Sequence, residues 1–255
     1  MSFITFAKAM LGDELVEIGF ERKSGVDWYK LIDNCILLRL RFRKLYGFTE
    51  VTFGIQSMFS KLGYSEILNN NLMDYGPRTN GNVDLESIVL AYADENTPGG
   101  QEMIEKGKRM FSVVKPVLAS VHDLQSCFDA MQQASYMALS KGFSNILGRE
   151  YTIDEHAVYP YEDGFFILCR LGKYAEAAEY LRRGLVNYRI QHVKTANDES
   201  LIKHETEKLQ PYIDMVEHGD YHQLNEIMRK NYNDGCDFVE CKYKIKIDRL
   251  KVSFD

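Results

Sequence analysis

Between Cys35 and Lys44, Leu38, Leu40 and Phe42 alternate with Arg39, Arg41 and Arg43. Successive side chains of a strand point to opposite faces, so this run puts an apolar set on one side and three arginines on the other. That pattern predicts an antiparallel sheet covered on one side. Strand-like runs flank it at Phe20 to Lys23, Asp27 to Asp33 and Thr49 to Ser57, with Ser24-Gly25 and Asp33-Asn34 as turn signals. The natural cover is an opening helix, whose apolar stripe is Ile4, Ala7, Leu11, Leu15 and Ile18. Ser2 can cap its start. Gly19 can take a left-handed conformation at its end, which brings Phe20 back onto Leu15.

Residues 62–83, rich in Asn, Gly and Pro, read mostly as loop. Asp84 caps a short helix with Leu85, Ile88, Val89 and Tyr92 on one face, and Thr97-Pro98 starts another. A stripe of Met103, Gly107, Met110, Phe111 and Val114 follows, with a break or kink expected at Pro116. Val117, Val121, Leu124, Phe128, Met131 and Leu139 make the next stripe, ended by Gly142. Thr152 and Glu155 have capping-box spacing, with Pro160 limiting that helix. A helix-turn-helix runs from Phe165 to Leu171, through Gly172, into Tyr174, Ala177, Ala178, Leu181, Leu185 and Tyr188. Asn197 to Glu217 reads as a solvated helix, and Gly219-Asp220 introduces a last one with Tyr221, Leu224, Ile227 and Met228. In the tail, Lys242, Lys244 and Lys246 alternate with Tyr243, Ile245 and Ile247, which predicts a half-buried strand with lysines guarding an edge.

The fold expected is α+β: an N-terminal helix packed on an antiparallel sheet, then a helical hairpin region and a C-terminal strand that rejoins the sheet. The boundary falls at 96/97, giving a sheet domain over 1–96 and a helical region over 97–255. Gly-Lys-Tyr-Ala-Glu-Ala-Ala from 172 to 178 resembles the turn and second helix of a tetratricopeptide-type hairpin, and Gly219-Asp220-Tyr221 looks like a second such turn. Two turns imply stacked hairpins without a solenoid, which usually needs at least about three repeats.

The run Leu15-x-x-Ile18-Gly19-Phe20-x-Arg22-Lys23-x-Gly25-x-Asp27-Trp28-Tyr29, followed by a strand pair ending near Phe53-Gly54-Ile55, resembles the start of the bacterial domain-of-unknown-function family 4304. The resemblance covers residues 5–115 at most. It implies an α+β domain with no assigned activity and a place in bacterial toxin–immunity or conflict systems, in which acidic cytoplasmic immunity proteins act by occluding a toxin surface. It carries over no catalytic residue.

Charge sharpens the picture of the sheet. The whole chain is −6, which argues against a general nucleic-acid-binding role, because phosphate attraction rewards a cationic field. Within residues 20–61, however, eight basic residues face four acidic ones, a local +4. Trp28, the only tryptophan, alternates with Lys30 and Ile32 on the neighbouring run and either packs in the core or anchors a binding surface. Trp28, Arg39, Arg41 and Arg43 are therefore the candidate binding residues, the alternative for the arginines being an ordinary solvated face with cross-strand ion pairs.

No apolar run approaches the roughly 18–20 residues of a membrane span, and the N-terminus lacks a secretory pattern, so a cytoplasmic protein is expected. Cys35, Cys127, Cys169, Cys236 and Cys241 are scattered, without a C-x-x-C pair, and read as reduced thiols. The dinucleotide, phosphate-loop and nucleophile-elbow signatures are missing. No cofactor or metal is expected. His122-Asp123 is the dipeptide of HD phosphohydrolases without the other ligands, His218 and His222 are separated by Gly219-Asp220, and Asp154-Glu155-His156 is explained by capping. The leading expectation is a protein-binding module of immunity type acting through the basic sheet face. The alternative is a hydrolase-like enzyme with a polar or metal site between sheet and helices, for which His122, Asp123, Asp154 and His156 are the candidates.

Overall fold

The computed structural model describes residues 3–23, 26–45, 48–61, 70–71, 78–79, 82–83, 90–91, 98–133, 161–192 and 196–254. Helix α1 (Phe3–Glu17) ends as its sequence predicts. Gly19 has φ +84°, its N–H donates to Val16, and the Phe20 N–H donates to the Leu15 carbonyl at 2.9 Å. The buried stripe is Phe6, Ala7, Met10, Leu11 and Leu15, whereas Ile4 lies outside it and is exposed.

Strands β1 (Glu21–Arg22), β2 (Asp27–Ile32), β3 (Ile36–Leu45) and β4 (Phe48–Ser57) lie side by side in chain order, each antiparallel to the next. The Asp33-Asn34 turn has both φ angles positive, 48° and 55°, and the Cys35 N–H donates to the Ile32 carbonyl at 3.1 Å. Such a two-residue turn matches the twist of the strands, and Asp and Asn tolerate the left-handed region it requires. The far edge of β4 pairs with β5 (Asn70–Asn71) and, after β6 (Arg78–Thr79) and β7 (Asn82–Val83) form a ladder of their own, with β8 (Leu90–Ala91). Residues 90–91, expected in a helix begun at Asp84, are thus strand-paired with Thr49 and Phe48. The expectations at Ser2, Ser24-Gly25, 84–89, Leu139, Gly142, Thr152, Glu155 and Pro160 lie outside the described residues.

Helix α2 (Pro98–Ser120) begins at Pro98 as expected but runs straight through Pro116. Phe111, Val114, Val117 and Leu118, on both sides of the proline, are all buried. Their burial outweighs a proline penalty of about 3 kcal/mol. The break comes later, at 121–123, before α3 (Leu124–Gln133). Helix α4 (Tyr161–Arg170) is buried all round from Asp163 to Cys169, as a central core helix should be. It packs on α5 (Tyr174–His192), and α6 (Ala196–His218) leads to α7 (Tyr221–Tyr243). Gly172 and Gly219 both turn with positive φ, and the two look-alike turns meet, with the Tyr174 and Tyr221 rings stacked 4.0 Å apart.

The tail corrects the expected C-terminal strand. Helix α7 continues to Tyr243 and stops where Lys244 turns left-handed at φ 57°, and a 3-10 turn follows at Arg249–Lys251. Cys236, Val239 and Tyr243 are buried at three- and four-residue steps on α7, so the first of the alternating lysines sits on a helix, and Ile247, past the helix end, is buried as well. The sheet is also covered on both faces. Trp28, Leu38, Leu40, Phe42, Phe53 and Ile55 form the inner, buried face, on which Trp28 reaches α1 beside Gly12. On the opposite face Tyr243, at the end of α7, packs on Tyr29 with ring centroids 4.1 Å apart and the rings tilted by 35°.

Candidate functional site

The antiparallel register sets Tyr29 opposite Arg39 and Asp27 opposite Arg41 on the outer sheet face. The Arg41 Nε donates to Asp27 Oδ1 at 2.5 Å, while Arg39 Nη2 stands 3.7 Å from the same oxygen. Among the described residues two guanidinium groups therefore share one carboxylate, leaving a positive charge in excess. Burial opposes the Arg41 charge, but the Asp27 hydrogen bond and charge outweigh it and raise the Arg41 pKa.

Exposure separates the two arginines. The Arg41 side chain is 29% exposed, whereas that of Arg39 is 11% exposed and lies over the Tyr243 ring. Around Arg39 the polar accounting is incomplete. Its Nε and Nη2 and Oε1 of Gln56 are buried without a hydrogen-bond partner among the described residues, and the buried hydroxyls of Tyr29 and Tyr243 have only each other. Tyr29, Leu37, Arg39 and Gln56 share this face through the β2–β3–β4 register. Burial, reinforced by Tyr243 and by the Asp27 charge, raises the Tyr29 pKa far above its ordinary value. Such groups normally find a partner when buried, and each that does not costs about 1–3 kcal/mol.

Trp28 is not on this surface. It is 4% exposed and belongs to the inner face with Leu40, so it packs in the core. Arg43 pairs in register with Glu50, and its side chain lies outside the described residues. The structure thus brings Arg39 and Arg41 together and assigns Trp28 elsewhere.

Of the enzyme candidates, His122 and Asp123 lie side by side on the surface, with His122 Nε2 3.6 Å from Asp123 Oδ2. His122 is exposed, with its Nδ1 2.7 Å from the Ser120 carbonyl. Asp123 caps α3, accepting from the Ser126 N–H at 2.7 Å, and that hydrogen bond lowers its pKa. His218 Nδ1 lies 2.8 Å from the Asp214 carbonyl within its own helix. Asp154 and His156 lie outside the described residues. Among the described residues, no group of three or more His, Cys, Asp and Glu side chains could hold a metal ion. No helix among them is long and apolar enough to cross a membrane. Cys35, Cys127, Cys169 and Cys236 are buried, and Cys241 is exposed. Burial pushes the Cys35 and Cys169 thiols up to about 12.

One polar cluster escaped the sequence reading. Asp163, in the first turn of α4, accepts from the Ser57 N–H at 3.0 Å, the Ser60 hydroxyl at 2.9 Å and the Ser57 hydroxyl. All three residues are buried. Burial pushes the Asp163 carboxyl up to about 6, against the pull of those hydrogen bonds. The only sequence signal was an acid beside Gly164 and Phe165 at the start of an apolar helix, which an ordinary helix-dipole reading absorbs.

In comparison with known proteins, no family model, no curated protein and no solved structure matches the chain.

Proposed function

We propose that the protein is a binding module that offers the Arg41 edge of its outer sheet face to an acidic segment of a partner protein. The observation that carries this reading is the pair of guanidinium groups sharing the single Asp27 carboxylate, next to buried polar atoms without partners. A carboxylate arriving at Arg41 supplies the second acceptor that two arginines call for, and charge-assisted hydrogen bonds of this kind are the strong ones. The reading refines the surface expected from sequence, since Trp28 is excluded from it and Arg39 sits beneath Tyr243. The resemblance to family 4304 supports an immunity-type role, in which binding itself is the activity.

Affinity capture from the source cell with mass spectrometry tests it, with wild type and Arg41→Gln compared in parallel. We expect a partner with an acidic patch whose capture falls at least about fivefold in the variant and weakens with salt, as an exposed charge contact must. Equal capture by both proteins contradicts the assignment. The enzyme reading has one observation in its favour, the Asp163–Ser57–Ser60 cluster between β4 and α4. There every serine donor is directed at the carboxylate, which is the geometry of a structural clamp.

A further inference from the structure

Arg170, the last residue of α4, is held differently from Arg41 and Arg249. Arg41 holds Asp27, and Arg249 holds Asp237 and Glu240. The titratable groups that act on Arg170 are Cys35 and Tyr174, neither a carboxylate, and burial lowers its pKa. Its guanidinium lies over the Phe59 ring at 5.0 Å and the Phe254 ring at 4.9 Å. With aromatic rings on its faces, its edge is what remains for hydrogen bonding. Along that edge Nη2 donates to the Ser253 carbonyl at 2.7 Å, while the neighbouring Nε is buried and has no acceptor among the described residues.

Nε and Nη2 form the side-on fork that fits the two oxygens of a carboxylate. A backbone carbonyl has one oxygen and fills one prong. Arg170 also lines a cleft of ≈ 760 Å³, within the size range of ligand sites, whose wall includes Asp33, Phe59, Asp123, Lys251 and Ser253. The two aspartates repel a dianion such as a phosphate group. They repel a single carboxylate less strongly, and their oxygens can accept from the amide N–H groups of the chain that carries it.

We propose that this cleft binds the carboxylate of a peptide, held on both prongs of the Arg170 fork, with the Ser253 carbonyl standing in for one carboxylate oxygen until the peptide displaces it. The tail at Lys251–Phe254 is then an internal mimic of the ligand. The site is separate from the Arg41 face, so variants of Arg39 or Arg41 leave it intact.

The full-length chain, labelled at arginine, is titrated with acetyl-Ala-Phe bearing a free carboxylate, with the C-terminal amide of the same peptide, and with inorganic phosphate. The expected result is a saturable shift of the Arg170 Nε–H resonance with the carboxylate peptide, and binding at least about tenfold weaker for the amide and for phosphate. Arg170→Lys, which keeps the charge and loses the fork, is expected to weaken the peptide about tenfold. If that variant fails to fold, the carboxylate–amide comparison on the wild-type chain decides alone. No saturable shift up to about 10 mM peptide, or equal binding of the amide or of phosphate, overturns the proposal.

Discussion

Two buried polar clusters in this protein have opposite hydrogen-bond accounts. At the end of β4, Asp163 receives donors from Ser57 and Ser60 and is closed off in the core. On the outer sheet face, Arg39 and Gln56 keep buried polar atoms with no partner among the described residues, and the buried hydroxyls of Tyr29 and Tyr243 have only each other. A satisfied network rigidifies a fold, whereas an unsatisfied one stores a demand that an incoming group can meet. The difference teaches which of the two to treat as structure and which as surface chemistry, and residue type alone does not reveal it.

The largest test of that contrast is Asp163→Ala. It strands the Ser57 N–H and two hydroxyls in the core, so a loss of about 2–4 kcal/mol is expected by denaturant unfolding. A loss below about 0.5 kcal/mol removes the clamp from the account.

Titration of the same group comes next. The folded-state pKa of Asp163, about 6, lies above its ordinary value of 3.8, because burial and the Glu162 charge outweigh the serine hydrogen bonds. The folded state therefore binds the proton more tightly than the unfolded chain. Its stability contribution is fully present below pH 3.8 and is lost as pH rises through about 6, a span worth up to about 3 kcal/mol. Unfolding measured across that window on wild type and Asp163→Asn isolates it, since the variant cannot titrate. Identical pH profiles contradict the assignment.

The smallest effect belongs to the other cluster. The Tyr243 hydroxyl has only the Tyr29 hydroxyl beside it, so Tyr243→Phe is expected to leave stability within about 0.5 kcal/mol or to raise it. A cost above about 1.5 kcal/mol shows that the hydroxyl is fully satisfied and makes the two clusters alike.

The parts of the fold set by local chemistry were legible. The alternation across Leu38 to Arg43 gave β3 its two faces, Asp33-Asn34 its tight turn, and Gly19 the end of α1. Parts decided by distant packing were not. Pro116 stays helical because Val114 and Val117 on either side of it are buried in the core. The lysine alternation at 242–246 concealed that Val239 and Tyr243 belong to the buried stripe of a helix running to Tyr243. The same packing explains why the outer face is only partly wet, since Tyr243 comes from 214 residues beyond its partner Tyr29 in the chain. Of the candidate site, the pairing of Arg39 with Arg41 followed from the strand period, whereas their shared Asp27 depended on β2–β3 register. The Asp163 contacts, spanning more than a hundred residues of sequence, leave no local trace.

Arginine side-chain NMR on the full-length chain tests the central claim most directly, with a hexaglutamate peptide titrated in while the Nε–H resonances of Arg39 and Arg41 are followed. The account expects a saturable shift of the Arg41 resonance, accompanied by Arg39, that weakens as salt is raised. Resonances of both arginines that stay fixed through the titration at low salt contradict it.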